Sequence, residues 1–197
     1  MAGGAALAAV NVVHAVRPDP EGQVGTTAID KRAVPGRVMA LRLGLVGDHV
    51  EDKKSHGGVD QAVYAYARED AAWWENELGR SLPPGSFGEN LSTKGLSVTD
   101  AVIGERWAVG SAVFEVSSPR IPCQTFARYW DVQRLVKRFT EHGTPGAYLR
   151  VLTEGVVGAG DEIRVVHRPE HGVTIGETFR CLTGDHSLAA RLLLATE

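Results

Sequence analysis

Apolar positions along the chain fall into short alternating runs separated by glycine and proline, the spacing of a strand-rich fold. Ala8 to Val16 reads as a first strand, stopped by Arg17-Pro18-Asp19-Pro20, and the next ten residues read as a polar, glycine-bearing loop. Pro35-Gly36 marks a turn before a β run from Arg37 to Leu43, and Leu45 to Asp48 leads into a charged segment ending at Lys54. Ala62 to Ala67 is a short aromatic strand; Arg68-Glu69-Asp70 then opens a helix whose stripe of Ala71, Trp74 and Leu78 is closed by Gly79. Arg106 to Val109 and Ala112 to Val116 flank Gly110-Ser111, an order that suits a type II′ hairpin. A helix from Val132 to Thr140, with Asp131 as its cap, buries Leu135, Val136 and Phe139, and β runs follow at Ala147 to Leu152 and Ile163 to Val166. Past Pro169 the pattern turns helical, with a capping box at Thr174 and Glu177 and a second helical run from Ser187 to Ala195. The pattern predicts a mainly β, α+β fold. About eight short strands close into a β-barrel or strongly bent sheet with inserted helices over residues 1–168, and residues 169–197 form a short helical tail.

Composition narrows the function classes. The 197 residues carry 21 basic and 24 acidic side chains, net charge -3, which argues against a nucleic-acid coat and against a polybasic membrane anchor. The apolar stretch from Ala5 to Val13 is interrupted by Asn11 and is far shorter than the ~18 residues of a spanning helix, so a cytoplasmic protein without membrane contact is expected. Cys123 and Cys181 stand alone, without the paired spacing of a zinc ribbon, a redox dithiol or a disulfide scaffold. No Gly-Lys dipeptide exists to form a phosphate loop, and Gly158-Ala159-Gly160 lacks the third glycine of a dinucleotide site. His167 and His171 have helical metal spacing, but Pro169 between them prevents the helix.

Three polar, glycine- or proline-rich segments remain. Lys54-Ser55-His56-Gly57-Gly58-Val59-Asp60-Gln61 sets two glycines beside an imidazole, an acid and an amide, so that backbone N–H groups can approach an anion or a ring; a plain glycine turn is the alternative. Pro84-Gly85-Ser86-Phe87-Gly88-Glu89-Asn90-Leu91 is a second such loop. In Ser118-Pro119-Arg120-Ile121-Pro122-Cys123-Gln124-Thr125 two prolines lock the backbone around an arginine, and a thiol follows the second, a setting that favours thiolate, although a lone cysteine is more often inert core.

These segments, with Lys31-Arg32-Ala33-Val34-Pro35-Gly36, Leu43-Gly44-Leu45-Val46-Gly47-Asp48 and His56 through Tyr64, resemble the MOSC domain, named for the C-terminal region of molybdenum cofactor sulfurase. The order and spacing are similar to its YiiM-like branch over residues 8 to 170, and the tail resembles that branch's helical appendage in short form. The resemblance implies a β-barrel that binds the molybdenum cofactor (molybdopterin), with Cys123 as metal ligand, and reduction of N-hydroxylated substrates such as hydroxylamino bases and amidoximes. Pyridoxal phosphate is not carried over, because the sulfurases' aminotransferase-like domain is absent from the sequence.

On that reading Lys31, Arg32, Lys54, Arg120 and Arg150 are the candidate cations for the cofactor's phosphate. The loop of His56, Gly57, Gly58 and Gln61, with Gly88 and Asn90, forms its cradle, and His56, Asp60 or Glu89 relays protons. No flavin, haem or iron–sulfur motif is present, so a separate reductase is expected to supply electrons. Two alternatives stay open: a carrier that holds the cofactor without turnover, and a sulfur carrier with a persulfide on Cys123. A homodimer is compatible with a domain of this kind.

Overall fold

The computed structural model describes residues 4–195. Its longest strand, β1 (Ala6–Asp19), turns into β2 (Gly25–Ala33), where a polar loop was expected. Beyond Asn11 the only strand neighbour of β1 is β2, and at that edge Pro18, opposite Thr26, needs no ladder donor, so the proline does not stop the strand. In β2, Ala28 and Asp30 are buried while Thr26 and Arg32, on the same face, are exposed, and that buried face carries an acid, so a hydrophobicity reading finds no period-2 pattern.

The other strands are β3 (Arg37–Leu41), β4 (Gly44–Leu45), β5 (Val63–Ala67), β6 (Leu91–Lys94), β7 (Arg106–Val109), β8 (Ala112–Pro119), β9 (Ala147–Thr153), β10 (Gly155–Gly158) and β11 (Ile163–His167). Among the described residues, β1 and β2 join six of these in one sheet of order β11-β7-β8-β9-β5-β6-β1-β2, and β10-β3-β4 form a smaller one. A continuous barrel ladder is not found among the described residues. The start of β1 meets the start of β11 through the bridge Ala6–Glu162 and through Leu7 N–H to Asp161 O at 2.9 Å and Ile163 N–H to Ala5 O at 2.8 Å. The outcome is a strongly bent sheet whose edges touch at one place. Its concave face buries Leu7, Val63, Ala65, Leu91, Trp107, Phe114, Val116 and Leu149 in one cluster.

Helix α1 (Arg68–Leu78) buries Ala71 and Trp74, as their spacing predicts, and ends where Gly79 adopts a left-handed conformation and donates to Glu75 O. Two short helices follow β8: α2 (Gln124–Trp130), which the sequence reading did not find, and α3 (Leu135–His142), which begins three residues later than expected. Asp131 is not the cap of α3; it sits at φ 50° as the C-cap of α2. Trp74, Phe126, Trp130 and Phe139 pack with Tyr64, Tyr66 and Phe87 into a second, aromatic cluster on the other face of β5. The tail contains α4 (Ile175–Leu182), with the expected capping box, and α5 (Ala189–Leu192). Ile175 enters the main core, and its N–H donates to Ala101 O at 2.9 Å. No described helix is long and apolar enough to cross a membrane.

Candidate functional site

A cleft of about 860 Å³, open to solvent on one side, lies between the β1–β2 hairpin, the segment 48–61, the loop before β6 and the start of α2. Eight of the residues singled out in the sequence line it: Lys31, His56, Gly57, Gln61, Gly88, Asn90, Arg120 and Cys123. They come from four segments that the bent sheet gathers at one end.

Cys123 holds the extended N-cap position of α2, directly after Pro122, and is half-buried. Burial pushes its thiol pKa up, but a hydrogen bond from His56, the Arg120 charge and the Phe126 N–H outweigh that and bring it down to about 7. Arg120 is 6% exposed. One of its nitrogens donates to Phe87 O, and its guanidinium lies 4.5 Å from the Phe126 ring centre and 5.1 Å from that of Tyr64. His56 stands with Nδ1 3.9 Å from Asp52 Oδ2, one helical turn earlier in sequence, and its backbone N–H donates to Asp52 O at 3.1 Å.

Deeper in the cleft Lys31 Nζ pairs with Asp48 Oδ2 at 2.6 Å. Burial lowers the lysine pKa, and the Asp48 charge opposes that shift. Asn90 joins the pair: Nδ2 donates to Asp48 Oδ2 at 2.7 Å, while Oδ1 accepts the Tyr64 N–H at 3.1 Å. The Pro84–Leu91 loop reinforces this corner, because Gly85 at φ 92° lies so close to the Lys31 carbonyl carbon that a Cβ would stand 2.7 Å from it.

The remaining expected residues lie off the cleft wall. Glu89 is 1% exposed, and its carboxylate is used inside its own loop, accepting Gly85 N–H at 2.6 Å, Ser92 Oγ at 2.6 Å and Phe87 N–H at 3.0 Å. Asp60 does not line the cleft and pairs with Arg150 at 2.6 Å; Arg150 also binds Glu115 at 2.9 Å. Arg32 pairs with Asp30 at 3.3 Å on the outside of the hairpin. Lys54 is exposed, and Gly58, at φ 79° and ψ -176°, caps the single 3-10 turn Val59–Gln61 without touching the cleft. Asp19, Asp48, Asp52, Tyr64, Thr125 and Tyr148 line it without having been singled out. The one sequence signal for them was the placement of Asp48, Tyr64 and Thr125 inside the motif segments.

A model of the family described as MOSC domain matches residues 52–164, more than half of the chain. The chain belongs to the MOSC domain family. It is 35% identical to Protein YiiM of Escherichia coli (strain K12) over 153 residues, 76% of this chain and 67% of that protein. It is 34% identical over 152 residues to a Gibberella moniliformis protein named Reductase, covering 73% of this chain but 26% of that one. The crystal structure of YiiM from Geobacillus stearothermophilus superposes with a TM-score of 0.79 at 28% identity, over 96% of this chain and 89% of that one. This MOSC protein is thus YiiM-like in sequence and in fold.

The family's name raises the molybdenum cofactor, and the cleft residues suit such a group. The Cys123 thiol on the cleft wall is a soft donor, the kind of group that would suit a metal whose other positions a sulfur-bearing cofactor fills. Gln61 Oε1, at the cleft wall, is buried without a hydrogen-bond partner and would accept an N–H from a heterocycle. Of the five candidate cations Lys31, paired with Asp48, and Arg120 line the cleft, and Arg32, Lys54 and Arg150 do not.

Proposed function

We propose that the cleft holds the molybdenum cofactor, with Cys123 as the metal's protein ligand, and that the protein reduces N-hydroxylated compounds such as hydroxylamino purines and amidoximes. The observation that carries this reading is the half-buried Cys123 thiol on the wall of the cleft that His56 and Arg120 also line, two groups that draw its pKa down. A thiolate available at neutral pH is a good ligand for a soft metal centre. When bound, the cofactor, which Cys123 would hold, would supply an oxygen-accepting centre and the two electrons of the reduction.

The protein's own residues provide the rest. Conversion of N–OH to N–H consumes two electrons and two protons and yields water, so the cleft must deliver protons at the reacting end. Of the three relay residues expected, His56 lines the cleft, and Asp52 beside its Nδ1 favours the ring orientation that points the other nitrogen away from Asp52. Burial keeps the Tyr64 and Tyr148 hydroxyls protonated at the cleft floor. Arg120 offsets the negative charge of the thiolate. Electrons come from a separate reductase. The match to a longer protein named Reductase supports the redox class without defining the donor.

The test is anaerobic turnover of a hydroxylamino purine by protein from a cofactor-competent host, with reduced viologen as donor and bound metal measured in parallel. Turnover with bound molybdenum supports the proposal. Molybdenum without turnover of any N-hydroxylated substrate indicates a carrier, and cyanide-releasable sulfur without molybdenum indicates a persulfide on Cys123.

A further inference from the structure

Neither the family motifs nor the proposed chemistry accounts for Asp19. It closes β1 at the mouth of the cleft and is 5% exposed, yet it is an acid in a turn, where solvent would ordinarily receive it. Its Oδ1 accepts Arg128 Nε at 2.6 Å, and its Oδ2 accepts Arg128 Nη2 at 2.8 Å and Thr125 Oγ1 at 2.8 Å. Arg128 Nη2 also donates to Thr125 Oγ1 at 3.2 Å. Both partners lie on α2, the helix that Cys123 begins, and are separated from Asp19 by 109 and 106 residues.

The turn is shaped for this reach. Gly22 N–H donates to Asp19 O at 2.8 Å, and a Cβ on Gly22 would stand 2.9 Å from Asp19 Cγ, so glycine leaves the room in which the carboxylate folds back toward α2. The helix needs such a tie. It has two turns, no side chain caps its N-terminus, and its directional ties outside the clamp sit at its far end, where Trp130 Nε1 donates to Ser86 O at 2.7 Å and Trp130 O accepts from Arg80 at 3.1 Å; nearer Cys123 it is held through Phe126. Apolar contact is non-directional and resists rolling of a short helix weakly, whereas a bidentate guanidinium–carboxylate pair fixes both distance and angle.

We propose that Asp19 is a positioning residue of the site: by clamping Arg128 and Thr125 it sets the roll of α2 and thereby turns the Cys123 thiol into the cleft. Its importance for turnover rests on the function proposed above, but its effect on the thiol is independent of any cofactor. In metal-free protein carrying Cys181→Ala, so that Cys123 is the reacting thiol, iodoacetamide alkylation is followed at about pH 9.5, where the thiol is ionised in either arrangement. Asp19→Ala and Arg128→Ala should each raise the rate about tenfold while the thermal transition stays cooperative, and the double variant should exceed neither, since one clamp is lost in all three. Rates within about twofold of the parent, or single effects that multiply in the double variant, would overturn the assignment. If Asp19→Ala does not fold, Arg128→Ala reads the same clamp from its partly exposed side: a tenfold rise supports it, and no change sinks it. Molybdenum retention on gel filtration of loaded protein is the second readout, and the clamp variants should retain less than the parent. A parent that never loads contradicts the proposed function alone and leaves the alkylation result to decide the role of Asp19.

Discussion

Glu89→Gln is the substitution that best separates support from chemistry, because the carboxylate was expected among the proton relays and the fold gives it another task. Its Oε1 accepts Gly85 N–H and Ser92 Oγ, and its Oε2 accepts Phe87 N–H, so three donors converge on one buried acceptor pair. A carboxamide must set an NH2 group against at least one of them. The least costly choice faces it toward Phe87 N–H, leaving that donor and the new one unpaired. At ~1–3 kcal/mol for each buried unpaired donor, the loss is about 2–6 kcal/mol. For a domain of this length that lowers the melting temperature by roughly 5–20 °C. The loss reaches the cleft because Phe87 O accepts from Arg120 and Gly85 lies against the Lys31 backbone. Calorimetry on Glu89→Gln, with turnover measured well below its own transition, is the assay. A lower transition with activity recovered in the cold is the expected result. An unchanged transition with turnover abolished would refute the structural role and return Glu89 to the chemistry.

In metal-free protein the Cys123 alkylation rate should titrate with a midpoint at about 7, and His56→Ala should move it upward. Because the folded-state pKa is depressed, the thiolate's contribution to stability is present above the free-thiol value of about 8.5 and is lost as pH falls through the folded value; a midpoint still near 8.5 contradicts the geometry. Lys31→Met strips the buried Asp48 carboxylate of its partner and should cost about 3–5 kcal/mol in denaturant unfolding, so a loss below about 1 kcal/mol would show that water reaches the pair. At Gly58 an added Cβ meets nothing within 4 Å, so Gly58→Val acts through φ alone. It should cost about 1–3 kcal/mol and stay folded by circular dichroism, with bound molybdenum reduced as the flanking His56 and Gln61 shift; full metal content would mark this loop as a plain turn. Cys181→Ala, in the buried face of α4, should retain turnover, and a large loss in folded protein would place that thiol in the chemistry.

Elements whose signal is local were legible. The Ala71–Trp74 stripe, the hairpin around Gly110 and the Thr174 capping box all formed as the pattern predicts, since each depends on contacts within a few residues. Strand β2 was read as a loop because its inward face carries Asp30, whose burial is sustained by Arg17 and Arg32, partners that hydropathy does not register. Helix α2 escaped notice because a proline-rich loop leads into it and its buried pair, Phe126 and Trp130, spans a single turn interval. The same limit applies to the site. His56, Gln61, Arg120 and Cys123 were recognisable from residue type and motif, whereas Asp60 and Arg150 pair with each other off the cleft wall. Asp19 became visible when the fold brought it to Arg128, because nothing in an Asp-Pro turn announces a partner 109 residues away.

The central claim is that Cys123 ligates the metal of a bound cofactor, and metal analysis of Cys123→Ser beside the parent, both purified from a cofactor-competent host, tests it most directly. Serine keeps the size and the helix-capping position, so folding should be preserved by circular dichroism. The account predicts stoichiometric molybdenum in the parent and little or none in the serine protein; equal molybdenum in both, with both folded, would contradict it.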